Sequence, residues 1–418
     1  MITRFKQKLY QELIEKSFSE AVFPAKKMPL WKTRIRLNNI SDQLKKRGML
    51  NLVGELYNLP SQNAVEIWKQ FLPQNPNHLG NWSKTRRKKL FATFQLEKEV
   101  ILQMTSLLKA SSNDIEGYMV SGATEGNIFS AWMGRKYLEK FVEKDKICLV
   151  KNDLTHYSVK KAADIIGIND FNTPIDNNKW NTDLISLEKT IESLYKQGYR
   201  GFLIPLTFGY TVGGSNDDYK ATCLLLEKFK RERKDLHFFV WIDAALSGLI
   251  MPFMSNNFEP FNNKQIQTFI LDFHKFAGIP YPAGLILYRK NLRKLIEKNI
   301  PYLKEKDSTL LGSRTGISAV CVWATIQLFG KEGFKRLINN CLKRKEEFLT
   351  KVKREYSYVK IISEKNSVQA AIIVKKPLPK DFCQKYGLSL IRYQLSFKDN
   401  KQAIKLYKLF FLPKFINK

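Results

Sequence analysis

In the segment Asp272-Phe273-His274-Lys275-Phe276-Ala277-Gly278-Ile279-Pro280-Tyr281, a lysine follows the short apolar run Thr268 to Leu271 directly. Lysines at strand ends are usually solvated, but one flanked by His274, Phe276 and a turn rich in Pro and Gly is placed like an activated amine. A second candidate group is Asp243, which ends the apolar run Phe238 to Ile242 and precedes Ala244-Ala245. A carboxylate at the mouth of an apolar sheet is expensive unless a cation or a hydrogen-bond donor faces it. The third is His156, reached from the run Ile147 to Val150 through Lys151 to Thr155. Read alone it suits a structural, hydrogen-bonded histidine as well as a chemical one. The fourth feature is a turn, Ser121-Gly122-Ala123-Thr124-Glu125-Gly126-Asn127, after the run Gly117 to Val120. Small residues at the start of a helix leave backbone amides open to a phosphate. The turn lacks the GxxxxGK[ST] pattern, so nucleoside triphosphate hydrolysis is not indicated.

These groups need a scaffold that brings strand ends together. Short apolar runs at 117–120, 147–150, 201–206, 238–242, 268–271 and 284–288 alternate with helical patterns over 128–141, 183–196 and 219–233. The runs have the composition of strands buried on both faces, and the alternation predicts an α/β domain with a mostly parallel sheet. Ligands of such sheets collect at the carboxyl ends of the strands, where all four features fall. Beyond about residue 314 the pattern changes to a long helix over 319–351 and short strands over 357–362, 370–374 and 388–396. The reading is therefore a helical N-terminal segment, 1–60, a large domain, 61–325, and a smaller C-terminal α+β domain, 326–418.

Composition narrows the function classes. Of 418 residues, 44% are hydrophobic and 28 are Phe, enough apolar surface for a large core and against wholesale disorder. Five scattered cysteines without CxxC spacing point to reduced thiols and a cytoplasmic setting, and four histidines without ligand spacing leave nothing for a dedicated metal site. The first eighteen residues carry charges throughout and do not read as a cleaved signal. The longest apolar stretch, 238–253, is too short to span a membrane and contains Asp243. A net charge of +31 raises the question of nucleic acid, with its densest runs at 84–89 and 228–234. The second run interleaves Glu227 and Glu232 and follows Leu224 to Leu226, as the polar face of an amphipathic helix does. No nucleic-acid-binding motif accompanies either, which argues against such a partner.

Six segments together resemble the group II pyridoxal-phosphate-dependent amino-acid decarboxylases of the aspartate-aminotransferase fold type, most of all bacterial histidine decarboxylases and plant serine decarboxylases. They are Gly122 to Asn127, His156-Tyr157-Ser158-Val159, Gly209-Tyr210-Thr211 with Gly214 and Asp217-Asp218, Asp243 to Gly248, His274-Lys275, and Gly312-Ser313-Arg314. The resemblance implies that Lys275 holds pyridoxal 5′-phosphate as an imine and that Asp243 pairs with the pyridine nitrogen. It implies His156 on one ring face and Ala245 on the other, with Ala123, Thr124 and His274 at the phosphate and Thr211 also at the cofactor. It places Tyr302, in a mobile loop reaching a neighbouring subunit's site, as the proton donor, and Ser308 or Thr309 at a phosphate across the interface of a homodimer. His156 and Asn81 are the expected substrate contacts.

The expected reaction is decarboxylation of an L-amino acid to its amine, with histidine as first substrate. Tyr210, bulkier than the threonine usual in the family, is expected to narrow the cofactor cleft and shift that choice. Three rivals share these residues. They are decarboxylation of another amino acid such as serine or an aromatic one, a different reaction of the same cofactor (lyase or aminotransferase), and a non-catalytic or nucleic-acid-binding relative.

Overall fold

The computed structural model describes residues 29–50, 52–56, 58–80, 92–303, 305–398 and 400–415. Two units divide the chain, residues 1–50 and 51–418. In the first, α1 (Leu30–Met49) carries Leu30, Leu37, Ile40 and Leu44 exposed, at spacings of three, four and seven residues. That spacing puts them along one stripe.

The second unit begins with α2 (Gln62–Phe71), β1 (Asn77–Leu79), α3 (Thr93–Leu107), β2 (Ile115–Val120) and α4 (Ala123–Leu138). Next come β3 (Ile147–Lys151), α5 (Tyr157–Ile166), β4 (Asn169–Asn172), α6 (Leu184–Lys196), β5 (Gly201–Thr207), α7 (Tyr219–Glu232) and β6 (His237–Asp243). Then follow β7 (Ile266–Asp272), β8 (Gly284–Arg289), β9 (Lys298–Ile300), β10 (Glu305–Asp307), β11 (Ser313–Thr315) and α8 (Ile317–Glu355). The C-terminal part adds β12 (Lys360–Ile362), β13 (Gln369–Ile373), α9 (Lys380–Tyr386), β14 (Ile391–Ser396) and β15 (Lys401–Phe410).

Seven strands form the central sheet in the order β2-β8-β7-β6-β5-β3-β4, and the architecture is α/β with a smaller C-terminal α+β part. β5 is buried throughout, and β6 is buried from Phe238 on, which is why both read as continuous apolar runs. β4, β3, β5, β6 and β7 are mutually parallel, whereas β8 runs antiparallel to both β7 and β2. The reversal has a local cause. Only residues 273–283 join β7 to β8, a one-turn helix and a turn, too short for the crossover that parallel neighbours need. Helix α4 lies close on this sheet because Gly134 has no side chain: a Cβ there would meet Leu203 at 2.5 Å and Phe239 at 2.7 Å. Asp183 and Asp218 cap α6 and α7 by accepting from the Ser186 and Ala221 amides.

The second sheet has the order β12-β13-β15-β14 and is antiparallel throughout. Its Ile362, Ala371, Leu395 and Leu406 pack with Leu154, Trp180, Tyr210 and Val212, fastening it to the loops after β3, β4 and β5. The long helix α8 runs through residue 325 and is interrupted at Gly330, whose φ is 55°. Among the described residues, no helix is long and apolar enough to cross a membrane.

Candidate active site

The carboxyl ends of β2, β3, β5, β6 and β7 surround a cavity of about 340 Å³. Lys275, His274, Asp243, His156, Ala245, Thr211, Ala123 and Thr124 all line it, so eight of the expected site residues meet there. Asn81 and the basic run 84–89 lie outside the described residues. Tyr302 does not line the cavity and is 84% exposed. Ser308 is buried, its hydroxyl bonded to Tyr288, while the Thr309 hydroxyl contacts Asp307 and the Leu311 carbonyl.

The partner that Asp243 requires is Asn127. Its Nδ2 donates to Asp243 Oδ2 at 2.7 Å, and the Ala245 amide donates to Oδ1 at 3.1 Å. Asn127 is itself fixed, accepting from Trp241 Nε1 at 3.0 Å and donating to Ser158 Oγ at 3.0 Å. Ser158 Oγ lies 2.7 Å from His156 Nδ1, so one chain of bonds runs from the β6 carboxylate through α4 to the imidazole that caps α5. Asn127 ends the segment Gly122 to Asn127, but its bond to Asp243 spans 116 residues of sequence and left no local signal. Burial lowers the His156 pKa, opposed by the Asp243 charge and reinforced by that of Lys275.

Opposite, the one-turn helix Phe273–Phe276 brings Asp272 and Lys275, three residues apart, to the same side. Lys275 Nζ lies 2.9 Å from Asp272 Oδ2, and His274 Nε2 lies 3.5 Å from the same oxygen. Burial pulls the lysine down, but Asp272 and then Asp243 outweigh it and hold its pKa above the ordinary value. For Asp272, burial pushes up, while Lys275 and His274 prevail and hold it low. His274 Nδ1 accepts from the Ala283 amide at 3.2 Å, which leaves Nε2 as the ring's donor. Gly122 makes this packing possible, since a Cβ there would sit 3.2 Å from His274 Cε1. Two buried polar atoms at the cavity, Asp272 Oδ1 and Thr207 Oγ1, have no hydrogen-bond partner among the described residues.

Tyr210 corrects an expectation. It is fully buried and does not line the cavity, so it does not narrow the cleft. Its ring packs into the apolar cluster beneath the C-terminal sheet, where the hydroxyl donates to Asp217 Oδ2 at 2.8 Å and accepts from Asn152 Nδ2 at 2.6 Å. Asn152 in turn accepts from the Leu154 and Thr155 amides, shaping the turn that delivers His156.

Comparison with known proteins agrees with this geometry. Residues 88–374 match the family model described as the pyridoxal-dependent decarboxylase conserved domain. A tryptophan decarboxylase of Clostridium sporogenes is 29% identical over 321 residues, 75% of each chain. A histidine decarboxylase of Vibrio anguillarum is 28% identical over 281 residues, 67% of this chain and 69% of that one. The fold of L-methionine decarboxylase from Streptomyces sp. 590 superposes with a TM-score of 0.80 at 19% identity, covering 95% of this chain and 94% of that structure.

Proposed function

The chain belongs to the pyridoxal-dependent decarboxylase family, and from that premise we propose that Lys275 carries the cofactor and that the enzyme converts histidine to its amine and carbon dioxide. Bound pyridoxal phosphate supplies an aldehyde for an amino group and a ring that accepts the electron pair left behind when carbon dioxide departs. The observation that carries the proposal is the meeting of Lys275, Asp243, His156 and His274 around one cavity whose wall includes the start of α4. The residues fit the cofactor: two orphaned polar atoms, Thr207 Oγ1 and Asp272 Oδ1, face a space that already holds an amine, a carboxylate and open helix amides.

Each role follows from the group's surroundings. Asp243, fixed by Asn127 and the Ala245 amide, is a carboxylate suited to keep a proton on a ring nitrogen. His156 and Ala245 line the cavity and would hold the ring. The Ala123 and Thr124 amides, with the His274 Nε2–H, are the donors for the phosphate, and Thr211 is a further contact. Tyr302, exposed and away from its own cavity, donates the final proton in a second copy of the chain. The homodimer this requires is supported by the apolar stripe of α1. Asn81 is the proposed substrate contact beside His156. The large and small domains meet near residue 325, and the protein works in the cytoplasm.

Histidine rests on the likeness to the Vibrio enzyme. A second reading, an aromatic amino acid, is favoured by the likeness to the Clostridium enzyme over a greater share of the chain. The test is incubation of the purified protein with pyridoxal phosphate and an equimolar mixture of histidine, tryptophan, tyrosine, methionine, serine and glutamate, with amines and carbon dioxide measured. Histamine as the main product is expected. Another dominant amine overturns the substrate and leaves decarboxylation standing; no amine at all overturns the proposal.

A further inference from the structure

Lys275 is held as an ammonium, and an ammonium cannot form a bond to an aldehyde carbon. Something at the site has to take its proton. Of the groups around it, Asp243 accepts from Asn127 Nδ2 and the Ala245 amide, and the proposed function gives its remaining capacity to the ring nitrogen. His156 Nδ1 accepts from the Ser158 amide and His274 Nδ1 from the Ala283 amide, so in each neutral ring Nε2 carries the proton and is a donor. Tyr281, whose phenol is pushed up by burial, is a neutral group. Asp272 remains, with Oδ2 at 2.9 Å from Lys275 Nζ and Oδ1 buried and unpartnered.

The other side of Asp272 raises a second problem. Its Oδ1 lies near both Gly284 and Gly122 at the start of α4, where an added Cβ would meet it at 2.8 Å and 3.7 Å respectively. A phosphate bound at those amides would share the corner with a buried carboxylate, and two like charges at such range oppose each other strongly. One proton transfer relieves both. We propose that Asp272 takes the proton from Lys275 as the cofactor is captured, and that the carboxylic acid so formed sits beside the phosphate as a neutral donor. The balance is complete: the ammonium gives one proton to the carboxylate, the free amine attacks the aldehyde carbon, and the carbonyl oxygen leaves as water while the C=N bond forms. Covalent capture and phosphate binding are thereby coupled through one residue that is not a ligand of the ring.

This rests on the proposed function, and the experiment separates the two. The cofactor-stripped full-length protein is mixed rapidly with pyridoxal 5′-phosphate between about pH 6.5 and about pH 8.5, and the absorbance of the lysine-bound form is followed. With an internal proton acceptor the wild-type rate is nearly flat with pH. In Asp272→Asn the rate at neutral pH falls by at least ~100-fold and climbs about tenfold per pH unit, because solvent must now deprotonate the lysine. Pyridoxamine 5′-phosphate, which carries the same phosphate but no aldehyde, binds Asp272→Asn at least as tightly as wild type. A wild-type rate that itself climbs tenfold per unit overturns the inference even if the variant does not fold, and so does capture by the variant at the wild-type rate. Absence of any lysine-bound cofactor in wild type overturns the proposed function and this inference together.

Discussion

Two buried carboxylates, Glu97 and Asp272, each face a cation, and they are finished differently. Glu97 Oε1 accepts from Arg314 at 2.7 Å and the Met119 amide at 2.8 Å, and its Oε2 lies 3.0 Å from His78 Nδ1. Arg314 also donates to the Met119 and Gly80 carbonyls, and His78 contacts Thr93 and stacks on Phe94, so the cluster ties β1, β2, β11 and α3 together. Burial works against the Glu97 charge, but Arg314 and His78 more than compensate and bring its pKa to about 2. Asp272 has one oxygen on Lys275 and the other without a partner among the described residues. Glu97, with both oxygens bonded and no place in the lining of the cavity, serves as a rivet. A carboxylate left half-satisfied beside a cavity is a site waiting for a ligand.

Substitutions in the cavity cluster are therefore expected to cost activity and those in the Glu97 cluster to cost stability. The largest effect is expected from Lys275→Ala, with turnover down by at least ~10⁴-fold, about 5.5 kcal/mol, and no cofactor trapped on the protein by borohydride. Peptide mapping of the trapped wild-type protein identifies the lysine, and a label elsewhere removes Lys275 from its role. Asp243→Asn comes next, at roughly 10²–10³-fold in turnover with cofactor retained, since an amide cannot hold the ring proton. Near-normal steady-state turnover in that variant would detach Asp243 from the chemistry.

Glu97→Gln is the matching change in the other cluster. It leaves Arg314 without its charge partner in the interior, and a loss of about 3–5 kcal/mol is expected in urea unfolding. The pH dependence has a definite sign. Glu97 is more acidic folded than unfolded, so its contribution is complete above its ordinary value of 4.5 and is lost as pH falls toward about 2. Wild type and variant should therefore converge in stability on acidification. Equal stability at neutral pH would mean the cluster is no rivet.

Much of this was legible in the chain itself. Buried parallel strands show as unbroken apolar runs, and all six expected runs lie within observed strands. The polar edge strand β4, Asn-Asp-Phe-Asn, and β15, with Lys401, Lys405 and Lys408 along it, carry no such signature. Residues that act at strand ends stood out because Lys, His and Asp are unusual after apolar runs. The residues that hold them did not, because Asn127, Asp217 and Asn152 meet their partners through tertiary contacts. Asp272 drew no reading as a site residue beside His274 and Lys275, although its spacing of three from Lys275 was the available sign of a pair. Tyr210 misled for a related reason: its neighbours in sequence, Gly209 and Thr211, line the cavity, and the alternate residue turns the other way.

Tyr210 supplies the smallest of the expected effects, and one that lies between the two behaviours. Its hydroxyl bridges Asp217 and Asn152, joining the turn after β5 to the turn that carries His156. Tyr210→Phe keeps the ring in its apolar cluster and removes one donor from a buried carboxylate, a loss of about 1–3 kcal/mol. Burial raises the Asp217 pKa, and the amides of Thr207 and Thr182 with the Tyr210 hydroxyl work against that rise. A group whose folded pKa is raised loses stability as pH rises and it ionises, so removing the phenol deepens the loss on the alkaline side. The deficit of the variant in urea unfolding should therefore be larger at about pH 8 than at about pH 5, where more of the carboxyl is protonated. With the turn loosened, KM is expected to rise by a few-fold, about 1 kcal/mol or less, while kcat changes less, since the side chain touches neither cavity nor ligand. A tenfold fall in kcat with KM unchanged would instead make Tyr210 part of the chemical step, and the bridge would then have to be counted with the cavity cluster.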